Sequence, residues 1–390
     1  MPGGQLRKEY TAAFTPSSAL TIAPTRSFEP WHKPRKQFIR KFQWIKETEA
    51  ILSRIGLDDG RPLKYLSLPG EDMLDIRVLH KLCLKRNVTL KYLGFKTGRV
   101  NEDYDRNISV NEVSKLPYVH KDSEMVVDDI RSAGRPGTKG HDSFKKLCPF
   151  DVINFDICDC ILEKSVNPYP VTYFYALYAI LNLQLANTTK PWLLFITTRS
   201  TAKDVGNDAA KMWDCVLDNA NSHVKFKSAL EGFLGTEIKS GHSYKDICQL
   251  NPSIFTGFFG IGIGKWFLKL MMTERPLCSV KMLEGYHFRA GGSKNPNMLS
   301  VAFLFEPIPT SKSDKYGIVK QPLKLNSPPT EEEVACEIIK SAKGIGDLDS
   351  IMKDEKLMKE MYNETKSLLE DAHYSVAGYD KWLAKNGARV

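Results

Sequence analysis

The chain has 390 residues, 42% of them hydrophobic, enough to bury one large core and still carry extensions, so a main domain of roughly 250 residues is expected. A formal charge of +9 permits contact with a polyanion without requiring it, and the eight scattered cysteines form no disulfide framework. Reduced thiols, an N-terminus without a secretory apolar core, and an apolar run Ser253–Met272 broken by Lys265 and Lys269 point to a cytoplasmic protein outside the membrane.

In chain order, residues 1–27 are polar and aperiodic and read as a flexible arm. After Pro34, Phe38, Phe42 and Ile45 recur at helical spacing with a basic opposite face, predicting a basic N-terminal helix. Tyr65–Leu68 reads as the first strand, a helix follows from near Gly70, and Val88–Phe95 reads as the second strand, with a polar loop through Arg106. Asp122–His141, carrying Gly134, Pro136, Gly137 and Gly140, reads as a long surface loop. Asp151–Ile157 and Trp192–Thr198 are predicted central strands around an apolar helix, Tyr173–Leu185. Val280–Phe288 and Leu299–Phe305 read as a closing antiparallel hairpin. The arm therefore precedes a Rossmann-type domain over 28–306, a linker over 307–329, and a helical C-terminal appendage over 330–390 that opens on the capping box Thr330–Glu333. The predicted class is α/β: a mostly parallel sheet with helices on both faces.

In such sheets ligands bind beyond the carboxyl ends of the strands. Gly70, Glu71, Asp156, Asp159 and Thr197 are therefore expected along one crevice. Carboxylates at a strand end can accept a proton or orient a nucleophile, which makes Asp156 and Asp159 the catalytic candidates, with a structural role as the alternative. Cys158 and Cys160, separated by a single residue, lack a second pair at ligand spacing, so no metal is expected. The run Gly260–Trp266 misses the phosphate-loop pattern at Phe259 and Trp266 and reads as close packing at a helix start.

The order of these pieces, with the segments Pro30–Gln37, Leu66–Gly70, Tyr92–Phe95, Asp151–Asp156 and Pro191–Arg199, resembles the class I S-adenosylmethionine-dependent methyltransferase fold. More narrowly it is similar to an uncharacterised family of bacterial methyltransferase-like proteins. The resemblance implies S-adenosylmethionine as cofactor, with Leu68, Pro69, Gly70 and Glu71 bordering its methionine part and Phe95 facing the adenosine. It places Asp156 where amino-methyltransferases carry an acid or amide, although Ile157-Cys158-Asp159-Cys160 stands in place of their Pro-rich turn. Gly94-Phe95-Lys96 also offers no carboxylate where the ribose-binding acid usually stands.

Between Arg26 and Lys46 seven basic residues face one acid, whereas the chain after Thr330 is net acidic. Trp31, Lys33, Arg35, Lys36, Arg40 and Lys41 are the candidates for contacting nucleic acid, the cations pairing with phosphates while Trp31 stacks; a solvated helix face is the alternative. Two functional readings follow. One is a methyltransferase-like protein acting on or binding nucleic acid. The other is a catalytically silent binding subunit, which the resembling family associates with bacterial anti-phage defence, and which would use the C-terminal helices to meet a protein partner.

Overall fold

The computed structural model describes residues 27–57, 60–97, 103–164, 171–273, 277–308 and 329–386. The expected arm and linker lie almost wholly outside these residues. In order, α1 (Pro34–Ile39) continues through a π-helical turn (Arg40–Ile45) into α2 (Lys46–Ile55), followed by β1 (Leu63–Ser67), α3 (Leu74–Lys85), β2 (Leu90–Lys96), α4 (Asp103–Ser114), β3 (Glu124–Val127), α5 (Lys139–Leu147) and β4 (Val152–Asp156). Next come α6 (Tyr173–Asn187), β5 (Trp192–Arg199), α7 (Asn207–Ser222), α8 (Val224–Leu234), α9 (Tyr244–Ile247), α10 (Pro252–Thr273), β6 (Cys278–Phe288) and β7 (Met298–Pro307). The chain closes with α11 (Glu331–Lys343), β8 (Gly346–Asp347), α12 (Leu348–Ile351), α13 (Glu355–Asp371) and α14 (Tyr379–Lys385).

The strands form one sheet in the order β3-β2-β1-β4-β5-β7-β6-β8. β1 to β5 are parallel, while β7 runs antiparallel between β5 and β6. Strand alternation divides the core: Leu66, Ile153, Leu194 and Ile196 face the layer of α5 to α8, α10 and α11, whereas Tyr65, Val152, Leu193 and Phe195 face α1 to α3. A sheet buried on both faces explains the near-continuous apolar runs of its central strands. The order reverses between β1 and β4, so the crevice beyond their carboxyl ends is the switch point of a Rossmann-type fold.

Several expectations need correction. The first turn runs to Met73, because Gly70 (φ 66°) and Met73 (φ 54°) both take left-handed backbone, and α3 begins only at Leu74. The expected polar loop after β2 gives way to α4 from Asp103. The long loop expected over Asp122–His141 instead contains β3, a 3-10 turn at Ile130–Gly134 and the start of α5, because Val126, Ile130 and Ala133 bury their side chains. The run Gly260–Lys265 lies within α10 and not at a helix start. A Cβ on Gly262 would stand 2.2 Å from Trp213 Nε1, so that glycine permits the close approach of α7.

Helix α10 is the one described helix long and apolar enough to cross a membrane, and 83% of its apolar window is buried inside the protein. The C-terminal helices are likewise packed in: Val334, Ile338 and Ile339 join the core under α10, and β8 extends the sheet beside β6. Phe28, Tyr374, Tyr379 and Leu383 form a third cluster tying the first described residues to the last helix.

Candidate active site

The crevice at the switch point has two compartments with a shared floor of Leu68, Gly70, Asp72, Asp156, Ile157 and Cys158. One, of about 750 Å³, opens over β1 and β2 and is bordered by Glu71, Phe95, Lys96, Asp129, Asp159 and Tyr173. The other, of about 370 Å³, lies under the N-terminal helix, with Trp31, Ile39, Trp44, Phe288 and Met298 as its apolar wall and Thr197 at its edge. Gly70, Glu71, Asp156, Asp159 and Thr197 therefore line one continuous crevice.

The first turn is fixed through Asp72. Its buried carboxylate accepts from His32 Nε2 at 3.1 Å and from the Tyr374 hydroxyl at 2.8 Å, while its carbonyl accepts from Arg77 Nε at 3.0 Å. The Glu29 amide donates to His32 Nδ1 at 3.0 Å, which leaves the ring proton on Nε2, facing Asp72. The β1–α3 turn thus hangs between the N-terminal segment and the C-terminal helices. At the end of β2 the Phe95 side chain is buried, and Lys96 reaches across to the exposed Glu71 at 3.0 Å.

Asp156 ends β4 opposite Thr197 of β5. Its side chain is 25% exposed and accepts from Lys36 Nζ at 2.6 Å. Lys36 is itself buried, with its ammonium 4.7 Å from the centre of the Trp44 ring. Burial holds the Lys36 amine below the usual lysine range, and Asp156 opposes that shift without cancelling it. Asp159 is exposed at the rim of the larger compartment, where its carbonyl accepts from the Arg199 amide at 3.0 Å.

Beneath the floor lies a buried polar group. Asp75 accepts from the Tyr65 hydroxyl at 3.0 Å and from Ser67 Oγ, and Asn154 Nδ2 donates to Tyr65 at 2.9 Å. Burial raises the Asp75 carboxyl above its ordinary range. Arg40, at the head of the π-helical turn, extends over this group and is 4% exposed. Its Nη2 donates to the Trp31 carbonyl at 3.2 Å. Turns of this kind recur at functional sites because they displace a helix face by one residue.

With this geometry the expected basic face is corrected. Lys36 and Arg40 point inward, and Lys33 donates to the Asn386 carbonyl at 2.8 Å. Arg35 donates to the Arg289 carbonyl and pairs with Asp349 at 3.5 Å, and Lys41 bridges Glu360 and Glu364 of α13. Trp31 borders both compartments rather than the outer surface. Of this basic segment, Arg35 and Lys41 are paired with acids of the C-terminal segment, while Lys36 and Lys46 find Asp156 and Glu284, so the basic face is largely engaged within the protein.

A family model covers residues 25–384, spanning every element that builds this crevice. The chain belongs to the PP_RS20740-like family. No curated protein matches the sequence. Among solved structures, a Listeria monocytogenes protein assigned as a class I S-adenosylmethionine-dependent methyltransferase overlaps with a TM-score of 0.32 at 12% identity, over 82% of this chain and 73% of that one. The fold assignment rests on strand order and direction, not on that overlap.

Within this family member, the residues that sequence reasoning missed are those contributed from a distance. His32, Asp72 and Tyr374 fix the turn, and Asp75 and Asn154 form the polar floor, while Lys36 and Arg40, singled out from the sequence as phosphate contacts, instead line the smaller compartment. Their one sequence-level signal was the opposite charge bias of the two chain ends. Among the described residues no group of three or more His, Cys, Asp and Glu is placed to hold a metal ion.

Proposed function

We propose that this protein binds S-adenosylmethionine in the larger compartment and belongs to the methyl-transfer class, with a small-molecule acceptor in the smaller one. The observation that carries this reading is the pair of compartments sharing a floor at Gly70 and Asp156, so that two ligands would meet over the β1 and β4 ends. Gly70 suits a ligand lying against the turn, since its left-handed backbone leaves open space where a side chain would stand. Phe95, Ile130 and Tyr173 offer an apolar edge for a nucleobase. No carboxylate ends β2, and Glu71, exposed above Lys96, is the acid in reach of ribose hydroxyls. When bound, the cofactor supplies an electrophilic methyl group. Asp156 would accept a hydrogen bond from the acceptor's nucleophilic group and orient it, while the hydrogen bond from Lys36 holds that carboxylate in place.

Isothermal titration with S-adenosylhomocysteine tests this reading directly. Saturable heat that disappears in Gly70→Trp supports it, and no heat at millimolar ligand sinks it. The silent-binding reading has its own support in the Glu71–Lys96 pair, which occupies the position of a ribose-binding acid. Glu71→Gln separates the two: a loss of cofactor affinity assigns Glu71 to the ribose, and unchanged weak binding favours a binding module.

A further inference from the structure

The smaller compartment is apolar along Trp31, Ile39, Phe288 and Met298, and its charged border selects against a charged occupant. Arg35 donates to the Arg289 carbonyl and pairs with Asp349, and Arg40 has Asp75, Asp156 and Asp72 as counter-charges. Both are neutralised from within the protein, so an anion gains little from them. A cation fares no better, because Trp44 and Phe288, two of the rings that could cage it, hold Lys36 at 4.7 Å and Arg35 at 5.4 Å from their centres. One polar pair does face this space with hydrogen-bonding capacity to spare. Asp156 and Lys36 both line it, with side chains 25% and 10% exposed, and among the described residues each side chain is the other's one hydrogen-bond partner. A carboxylate accepts several hydrogen bonds and an ammonium donates three.

Resting on the two-compartment reading above, we propose that the acceptor is a neutral phenol, its flat ring against the wall of Trp31 and Phe288 and its hydroxyl donating to Asp156 while accepting from Lys36. The 2.6 Å contact sets an acceptor and a donor side by side, and a hydroxyl matches both because it donates one bond and accepts another. A ring N–H would use Asp156 alone, and an ether Lys36 alone. The aromatic walls select a flat body over a saturated one. Asp156 also borders the larger compartment, so the hydroxyl oxygen held there lies at the floor that the two ligands share.

The test titrates full-length protein, without cofactor, with 2-naphthol and with naphthalene, 2-methoxynaphthalene, 2-naphthoate and 2-decalol as controls of similar size. The wild type should bind 2-naphthol roughly tenfold more tightly than naphthalene, and more tightly than the other three. In the double variant Lys36→Met, Asp156→Leu, which removes both charges together, that preference should fall below about threefold. Naphthalene binding should there stay within about twofold of wild type, which shows that the cavity still forms. Lys36→Met alone, which keeps the carboxylate, should lose part of the preference. A wild type that binds 2-naphthol no better than naphthalene overturns the inference. So does a preference that survives in full in either variant. Tighter binding of 2-naphthoate, which would assign the ligand to Arg199 at the cavity edge, overturns it too, as does equal binding of 2-decalol. If S-adenosylhomocysteine binds and the preference for 2-naphthol is absent, the phenol alone is refuted. If 2-naphthol binds through the pair and S-adenosylhomocysteine does not bind at all, the cofactor reading fails and the phenol site stands.

Discussion

Lys36 and Asp156 differ in burial, and that difference predicts an asymmetry between two single substitutions. Asp156→Asn leaves a cation with 8% of its surface exposed facing a neutral amide. Breaking a fully buried pair in this way costs about 3–5 kcal/mol. The 25% exposure of Asp156 admits water to the site, so a discounted loss of about 1.5–3 kcal/mol is expected at pH 7. Lys36→Met removes the buried charge, keeps most of the volume against Trp44 and leaves the carboxylate that water reaches; it should cost less than about 1 kcal/mol or stabilise.

Burial already holds the Lys36 amine below its unfolded value near 10.4. Between the two values the native state binds fewer protons than the unfolded chain, so stability rises with pH there. Asp156→Asn removes the group opposing the depression and widens that interval downward, so its penalty should shrink as pH rises from 7 to 9.5. Urea denaturation of both variants and the double variant at the two pH values measures all of this. Equal losses for the two single variants at pH 7, or a pH-independent penalty for Asp156→Asn, would refute the assignment of Lys36 as a buried, desolvated cation.

Tyr374→Phe removes one donor to the buried Asp72 carboxylate and should cost about 1–2 kcal/mol in chemical denaturation, with weaker ligand binding because the first turn loses a tether. Gly262→Ala should cost about 1–3 kcal/mol, since its methyl group would meet the buried Trp213 indole at 2.2 Å; a neutral result would show that α7 and α10 can separate freely. Lys33→Ala with Lys41→Ala should leave the salt dependence of any nucleic-acid association unchanged, as both side chains are engaged by the C-terminal helices. A slope reduced by about one unit for each lysine, in a filter-binding series over salt concentration, would restore these residues as phosphate contacts.

Central strands were legible because burial on both faces leaves an unbroken apolar signature, as in Trp192–Arg199, and because their ends fall at Gly70 and Asp156. β3 was not, since a four-residue edge strand with Val126 as its one fully buried side chain carries too little pattern to outweigh the glycines and proline after it. The crevice was legible from the strand ends alone, but not its charge. The apolar recurrence of Phe38, Phe42 and Ile45 announced an amphipathic helix, yet such a helix looks the same whether its polar side meets water or an acidic helix more than three hundred residues later. The π-helical turn adds a displacement that no 3.6-residue period contains, and it carries Arg40 and Trp44 inward.

The pairing of the first helix with α13 also imposes an order in time. A ribosome adding about 5–20 residues per second reaches Glu360 and Glu364 some 15–60 seconds after Lys41. Throughout that interval the nascent chain carries a basic segment without its counter-charges and an Asp72 without Tyr374. The crevice is therefore closed by residues translated some three hundred positions after its first turn, and a ribosome stalled before Tyr374 would release a chain whose first turn lacks that tether.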